Sequence, residues 1–226
     1  MFTVKVCGVT RAVDAQVAVD AGADAIGLNF YPASPRYVTP EVASNIVAAL
    51  TGHPLVVGVF VNATAAQIAQ VVAQVPLGAI QLHGDEPPEL VAEMPPGVPV
   101  IRAARIDAAG VATAAAYRDA CAATGQPLAA VLLDASVPTA PGEATVYGGS
   151  GHRLDWPRVA AERHLLSGTP LVLAGGLTPE NVAEAITTTG CEGVDTASGV
   201  ELSPGVKSPQ LVRDFVREAQ KALRGR

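Results

Sequence analysis

The feature that most constrains the fold of this chain is a regular alternation between two kinds of segment. Short runs rich in Val, Ile and Leu alternate from end to end with longer Ala-rich stretches. Near-continuous apolar runs are typical of parallel strands that are covered on both faces, and the longer stretches have the spacing of amphipathic helices. The alternation therefore predicts repeated strand–helix units of the α/β class.

Eight strand–helix units account for the chain and leave no segment for a second domain. We expect strands near 3–7, 24–30, 55–61, 78–82, 98–103, 128–134, 170–174 and 193–195. We expect helices near 11–21, 40–50, 64–74, 87–94, 108–122, 156–163, 179–188 and 208–223. Thr39, Thr178 and Ser208 each precede a proline, so each hydroxyl is expected to cap a helix that begins at that proline.

Two architectures are built from such units, the closed barrel and the open doubly wound sheet. A GxGxxG motif after the first strand would favour the open sheet, and this chain has none. We therefore predict a single (β/α)8 TIM barrel over residues 1–226. One connection, after Asp134, is about twenty residues long and carries the glycine-rich run 148–151; a loop of that length is usually functional.

Charge and composition exclude several functional classes. The net charge is −6 and no run of Lys and Arg occurs, so neither a nucleic-acid interface nor a basic membrane-surface helix is expected. No apolar run is long enough for a membrane span, and the first residues lack the features of a signal peptide. The three cysteines, Cys7, Cys121 and Cys191, lack the spacing of metal ligands. We expect a soluble cytoplasmic protein with no structural metal and no disulfide bond.

In a (β/α)8 barrel the active site lies at the C-terminal ends of the strands. Four reactive side chains fall there: Cys7 ends the first strand, Arg36 follows the second, Asp134 ends the sixth and Asp195 ends the eighth. Each has a structural explanation when taken alone, because free cysteines are commonly buried, aspartates cap turns and loop arginines are solvated. Their placement on one rim favours a catalytic role.

Two loops near the C-terminus indicate a phosphate site. Gly175 and Gly176 follow the seventh strand and precede a predicted helix start, and Ser198 and Gly199 follow the eighth strand. Backbone N–H groups at such positions bind anions, and the loops after strands seven and eight are the recurrent phosphate site of this fold. The alternative is that these glycines only permit tight turns.

Two further residues stay open to two interpretations. Lys5 lies two positions from Cys7 and so on the same face of the strand, where its charge could favour a thiolate; it could equally pair with a carboxylate for structure alone. His83 ends the fourth strand on the same rim, where a structural role is the better interpretation.

With these motifs combined, the chain resembles the phosphoribosylanthranilate isomerases of tryptophan biosynthesis over essentially its full length. The matching segments are 5–10, 34–38, 57–62, 81–86, 132–134, 148–151 with 155–156, 173–177, and 193–195 with 198–201. The resemblance implies an Amadori rearrangement of N-(5-phosphoribosyl)anthranilate to 1-(2-carboxyphenylamino)-1-deoxyribulose 5-phosphate, without a metal or organic cofactor. The expected partner is this small-molecule substrate, and the expected state is a monomer or homodimer.

The resemblance also implies a role for each candidate residue. Asp134 would be the general acid that opens the furanose ring, and Cys7 the general base that removes the C2′ proton. Arg36 would hold the anthranilate carboxylate, and Asp195 would orient the anthranilate ring or its amine. The loops that contain Gly175, Gly176, Ser198 and Gly199 would hold the phosphate.

Departures from the family pattern are few, and two alternatives stay open. The family commonly has Thr, Phe, Ser and Asp where this chain has Ser150, Leu154, Ala197 and Ser208.

A histidine-pathway isomerase would have an aspartate in place of Cys7 and a second phosphate site in the first half of the barrel. A non-catalytic sugar-phosphate sensor would not need both an acid and a base. We also expect the loop after Asp134 to close over substrate, since reactive intermediates need protection from water.

Overall fold

A computed structural model of the chain describes residues 1–106, 110–135 and 154–225. Eight parallel strands form a closed barrel in which each strand pairs with the next along the chain and the last pairs with the first. The prediction of a (β/α)8 barrel is thus confirmed, and the open doubly wound sheet is excluded. The strands are β1 (Val4–Val6), β2 (Ala25–Asn29), β3 (Leu55–Phe60), β4 (Ala79–Leu82), β5 (Val100–Ile106), β6 (Ala130–Ala135), β7 (Leu171–Leu173) and β8 (Gly193–Thr196).

The α-helices of the described residues surround the barrel. They are α1 (Ala12–Asp20), α2 (Pro40–Ala48), α3 (Ala65–Val72), α4 (Val111–Ala123), α5 (Trp156–Glu162), α6 (Val182–Thr189) and α7 (Pro209–Arg224). The predicted caps at Thr39 and Ser208 are confirmed, because each side-chain oxygen accepts from the backbone N–H three residues on, at 3.2 and 3.3 Å. None of these helices is long and apolar enough to cross a membrane.

Two local predictions are corrected, and one further element is added. The helix expected near 87–94 is a 3-10 helix, Pro88–Glu93, because prolines at both ends leave room only for a short, tight turn. Helix α6 begins at Val182 rather than at Pro179, so Thr178 lies in the turn ahead of it and does not cap it. A short hairpin of β9 (Glu201–Ser203) and β10 (Val206–Lys207) follows the 3-10 helix Ser198–Val200 and was not predicted.

Strands β1, β6 and β7 are buried along their whole length, which explains their largely apolar sequences. Outward-facing residues pack against the helices in one continuous core that includes Ile26, Leu133 and Phe215. A second cluster fills the barrel itself and mixes alanines with large aliphatic residues, so that the layers fit inside a closed sheet. Its members are Phe2, Ala25, Val57, Ala79, Ile101, Ala103, Ala130, Leu132, Val172 and Ala174.

Candidate functional site

A pocket opens at the C-terminal end of the barrel, where the active site of this fold lies. The strand ends and the loops after β1, β2, β7 and β8 contribute its lining. All of the candidate residues from the sequence line this one pocket: Cys7, Arg36, Asp134, Gly175, Gly176, Asp195, Ser198 and Gly199. Residues 136–153 of the loop after β6, which include the glycine-rich run 148–151, lie outside the described residues, so the closure of that loop stays a prediction.

Cys7 follows β1 directly and donates its backbone N–H to the carbonyl oxygen of Thr196 at 2.8 Å, which holds its side chain at the pocket. Burial raises the pKa of the Cys7 thiol. The ammonium groups of Lys5 and Lys207 act in the opposite direction, but burial outweighs them. Lys5 thus acts in favour of the thiolate, as one of its two interpretations holds, although burial sets the overall direction of the pKa shift.

Lys5 lies inside the barrel with no exposed surface and forms an ion pair with Asp195, with Nζ 2.7 Å from Oδ2. The two residues are register partners on β1 and β8, which explains why their side chains meet. Burial lowers the pKa of Lys5, yet Asp195 and Cys7 together more than offset this and the pKa lies above its ordinary value. Burial raises the pKa of Asp195, and Lys5 opposes that rise.

The second carboxylate oxygen of Asp195, Oδ1, differs from the first in its hydrogen bonding. Oδ1 is buried and has no hydrogen-bond partner among the described residues, although Asp195 lines the pocket. A buried acceptor without a partner is costly unless a ligand satisfies it. Oδ1 therefore keeps an unused capacity to accept a hydrogen bond.

Asp134 belongs to a chain of hydrogen bonds that the sequence did not reveal. The Nε2 atom of His83 lies 3.1 Å from Oδ2 of Asp134, and Nδ1 of His83 lies 3.2 Å from Nε2 of Gln81. The Oε1 atom of Gln81 lies 2.8 Å from Nζ of Lys5. The series of hydrogen bonds therefore runs from Asp134 through His83 and Gln81 to the Lys5–Asp195 pair.

This series of hydrogen bonds determines which ring nitrogen of His83 carries the proton. An ammonium can only donate, so Lys5 must face the amide oxygen of Gln81, and the amide nitrogen must face His83. That nitrogen donates to Nδ1, which consequently carries no proton. The neutral imidazole then holds its proton on Nε2 and donates it to Oδ2 of Asp134. The position of His83 at the end of a strand on the same rim was visible in the sequence, but its hydrogen-bond partners were not.

Arg36 also has partners that were not predicted. Its Nε and Nη2 atoms donate to the two carboxylate oxygens of Glu201, at 2.9 and 2.7 Å. Glu201 in turn accepts from Nζ of Lys207 at 2.8 Å. Burial raises the pKa of Glu201, but the hydrogen bonds and charges of Arg36 and Lys207 outweigh it, so the pKa is lowered overall.

The two glycine loops pack against each other. A Cβ atom on Gly199 would collide with the carbonyl oxygen of Leu177, so only glycine allows this approach. The side chain of Asn181 braces the first loop: Oδ1 accepts from Thr178 N–H and Nδ2 donates to the Gly176 carbonyl oxygen, both at 2.9 Å. The two loops predicted to bind phosphate thus lie together at the pocket. The N-cap residue of α6 is Asn181 rather than Thr178, and its side chain makes no capping hydrogen bond.

No group of three or more His, Cys, Asp and Glu side chains within residues 1–106, 110–135 and 154–225 is arranged to hold a metal ion. The arrangement instead offers a thiol, a carboxyl anchored by an imidazole, and an arginine at one pocket. These groups are suited to proton transfer and to the binding of an anion.

Comparisons with known proteins agree with this geometry. A sequence model of the N-(5′-phosphoribosyl)anthranilate (PRA) isomerase family matches residues 4–218. The N-(5′-phosphoribosyl)anthranilate isomerase of Myxococcus xanthus is 49% identical over 96% of this chain and 95% of its own length. The enzyme of the same name from Neisseria gonorrhoeae is 45% identical over 97% of each chain.

Solved structures give the same result. The phosphoribosyl anthranilate isomerase of Thermotoga maritima is 36% identical, with a TM-score of 0.82 over 98% of this chain and 100% of its own. A structure of such an isomerase in complex with reduced 1-(o-carboxyphenylamino)-1-deoxyribulose 5-phosphate is also 36% identical, with a TM-score of 0.81 and the same coverage. This chain belongs to the N-(5′-phosphoribosyl)anthranilate isomerase family.

Proposed function

We propose that the pocket carries out the Amadori rearrangement of N-(5-phosphoribosyl)anthranilate, with Asp134 as general acid and Cys7 as general base. The observation that carries this proposal is that both residues line the pocket that also contains Arg36, Asp195 and the glycine loops. An acid, a base, a carboxylate-binding arginine and a phosphate cradle are the groups that this reaction needs. The reaction is the aldose–ketose isomerisation of tryptophan biosynthesis that defines the family.

The first step is ring opening. A protonated Asp134 donates its proton to the furanose ring oxygen, the C1′–O bond breaks, and the lone pair of the anthranilate nitrogen forms an iminium ion. The His83 N–H holds Oδ2 of Asp134, which leaves Oδ1 to carry the proton toward the substrate. A fixed carboxyl orientation lowers the barrier because the proton is already aligned with its acceptor.

The second step is proton abstraction at C2′. The Cys7 thiolate removes this proton, the electron pair forms the C1′–C2′ double bond of an enolamine, and the iminium nitrogen is neutralised. The enolamine then tautomerises to the aminoketose. Burial keeps the thiolate fraction small, but the cationic iminium acidifies the C2′ proton and stabilises a nearby thiolate. The free Oδ1 of Asp195 would accept the N–H of the anthranilate amine.

The remaining contacts bind the two anionic ends of the substrate. Arg36 would bind the anthranilate carboxylate, since a guanidinium matches a carboxylate in shape and charge. The backbone at Gly175, Gly176, Ser198 and Gly199 would bind the phosphate. Cys7 and the family match favour this substrate over that of the histidine-pathway isomerase. We further propose a single cytoplasmic barrel domain, 1–226, that acts as a monomer or homodimer.

The test is the identity of the product. Substrate is generated from anthranilate and phosphoribosyl pyrophosphate by an added phosphoribosyltransferase, and the loss of its fluorescence is followed after this protein is added. Borohydride reduction should then trap the same reduced aminoketose phosphate that a similar isomerase holds in its structure. Persistence of substrate fluorescence at high protein concentration would contradict the proposal.

A further inference from the structure

Three charged side chains form a connected cluster at the rim of the pocket, which we call the Arg36 triad: Arg36, Glu201 and Lys207. Arg36 and Glu201 form a two-point ion pair, and Lys207 donates to the same Glu201 oxygen, Oε1, that accepts from Nε of Arg36. Their side chains are 11%, 4% and 0% exposed. Such shielding makes these charge interactions stronger than those of surface pairs.

The geometry leaves one edge of Arg36 for a ligand. Glu201 occupies the edge formed by Nε and Nη2. It does not occupy the edge formed by Nη1 and Nη2, which can bind a second carboxylate in the same two-point manner. Because Glu201 contacts two atoms of a planar group, it fixes the plane of the guanidinium and hence the direction of that second edge.

The charge of the cluster points to an anion. Two cations and one carboxylate leave one positive charge uncompensated beside the pocket. The other two contacts of the Lys207 Nζ atom are carbonyl oxygens, those of Cys7 at 2.6 Å and Ala197 at 3.0 Å, and they carry no formal charge. A bound benzoate-type carboxylate would neutralise the cluster. Without Glu201, two cations would share this site and Arg36 would lose its anchor.

The hairpin of β9 and β10 explains how the cluster is assembled. Glu201 and Lys207 are register partners on its two strands, so their side chains lie together. The Gly205 N–H also contacts Oε1 of Glu201 at 3.2 Å. Through Lys207, the hairpin is joined to the end of β1 at Cys7 and to Ala197, which precedes the Ser198 loop.

We propose that Glu201, supported by Lys207, is the positioning residue that makes the pocket specific for an aromatic amine that bears a carboxylate. The inference rests on the proposed function and adds to it a residue that selects the substrate through Arg36. Glu201 has no direct contact with the reacting atoms in this account, so its removal should weaken recognition of the carboxylate rather than the chemical step.

Two inhibitors test this proposal by calorimetry, independently of turnover. One is the reduced product, which carries the carboxylate; the other is the same compound with a plain phenyl group. For Glu201→Gln we expect about tenfold weaker binding of the carboxylated compound, since a charged hydrogen bond is lost, and a change below about threefold for the phenyl compound. In steady-state kinetics, KM should rise by the same factor while kcat stays within about threefold.

Controls separate specificity from stability. Glu192→Gln removes another carboxylate that pairs with an arginine, Arg163, at the far end of β8, and binding should not change. In an Arg36→Ala background, Glu201→Gln should cause no further loss, because Glu201 acts through Arg36.

Three results would overturn the inference. They are an equal loss of affinity for both compounds in a folded Glu201→Gln protein, additive losses of affinity in the double variant, or no loss of affinity for the carboxylated compound. Wild-type protein that neither binds the reduced product nor turns over substrate would instead contradict the proposed function.

Discussion

The Nε2 atom of His83 lies 3.1 Å from the carboxylate oxygen Oδ2 of Asp134, and it is the donor in this contact. The donor role follows from the order of partners behind the imidazole, since Lys5 orients Gln81 and Gln81 orients His83. A buried lysine at the centre of the barrel thus determines which way a carboxyl group points at its mouth.

Replacement of His83 should reduce the chemical step. In His83→Ala, Oδ2 of Asp134 loses its anchor, so kcat should fall by about ten- to a hundredfold with little change in KM. His83→Gln can place an amide N–H where Nε2 lies and should recover part of the rate. Steady-state kinetics of both variants, with the exposed His53→Ala as control, measures this. Wild-type kcat in His83→Ala, or no difference between the two variants, would contradict the assignment.

Replacement of Lys5 should reduce the stability of the fold. Lys5→Met leaves Asp195 buried without its counter-charge, at a cost of about 3–5 kcal/mol in the free energy of unfolding. Lys5→Met with Asp195→Asn removes both charges and should be less destabilised than the single variant. Urea denaturation measures these values, and the exposed Lys221→Met should unfold like wild type. A single variant as stable as wild type would show that the pair contributes nothing.

The reactivity of Cys7 should rise steeply with pH. Burial raises the pKa of this thiol above its ordinary value of 9.0, so the thiolate is a minor species near neutral pH and increases about tenfold per pH unit. The rate of alkylation by iodoacetamide, followed by mass spectrometry, should therefore still be rising at pH 9. Cys121 and Cys191 are fully buried and should stay unmodified in the folded protein. A plateau below pH 8 would show that Lys5 and Lys207 outweigh burial.

Substitution of Gly199 should impair phosphate binding. A methyl group there would collide with the Leu177 carbonyl oxygen and force the two loops apart. We expect Gly199→Ala to bind the reduced product about tenfold more weakly. Gly97→Ala is a matched control, since Gly97 has a positive φ of 82° but open space around it, so this variant should lose some stability and no affinity. Equal affinity of the Gly199 variant and wild type would contradict a role of this loop.

The parts of the fold that depend on local sequence were predictable. Strand positions came from buried apolar runs, and the rim residues Cys7 and Asp134 came from strand ends, because the barrel topology brings all strand ends together. What was missed depends on contacts between distant segments. The Glu201–Lys207 hairpin strands have two or three residues each, too few for an alternating pattern, and the pairing of His83 with Asp134 exists only after the barrel closes. Roles such as those of Arg36 and Asp195 stay predictions.

In the proposed mechanism, Cys7 and Asp134 transfer protons to and from the substrate rather than hold it in place. The most direct test is single-turnover decay of substrate fluorescence in wild type, Cys7→Ala and Asp134→Asn, together with calorimetry of the reduced product on the same samples. We expect each variant to lose about 10²–10⁴-fold in rate while its dissociation constant stays within about threefold of wild type. A variant that keeps the wild-type rate, or one whose loss of rate is matched by an equal loss of affinity, would contradict the claim.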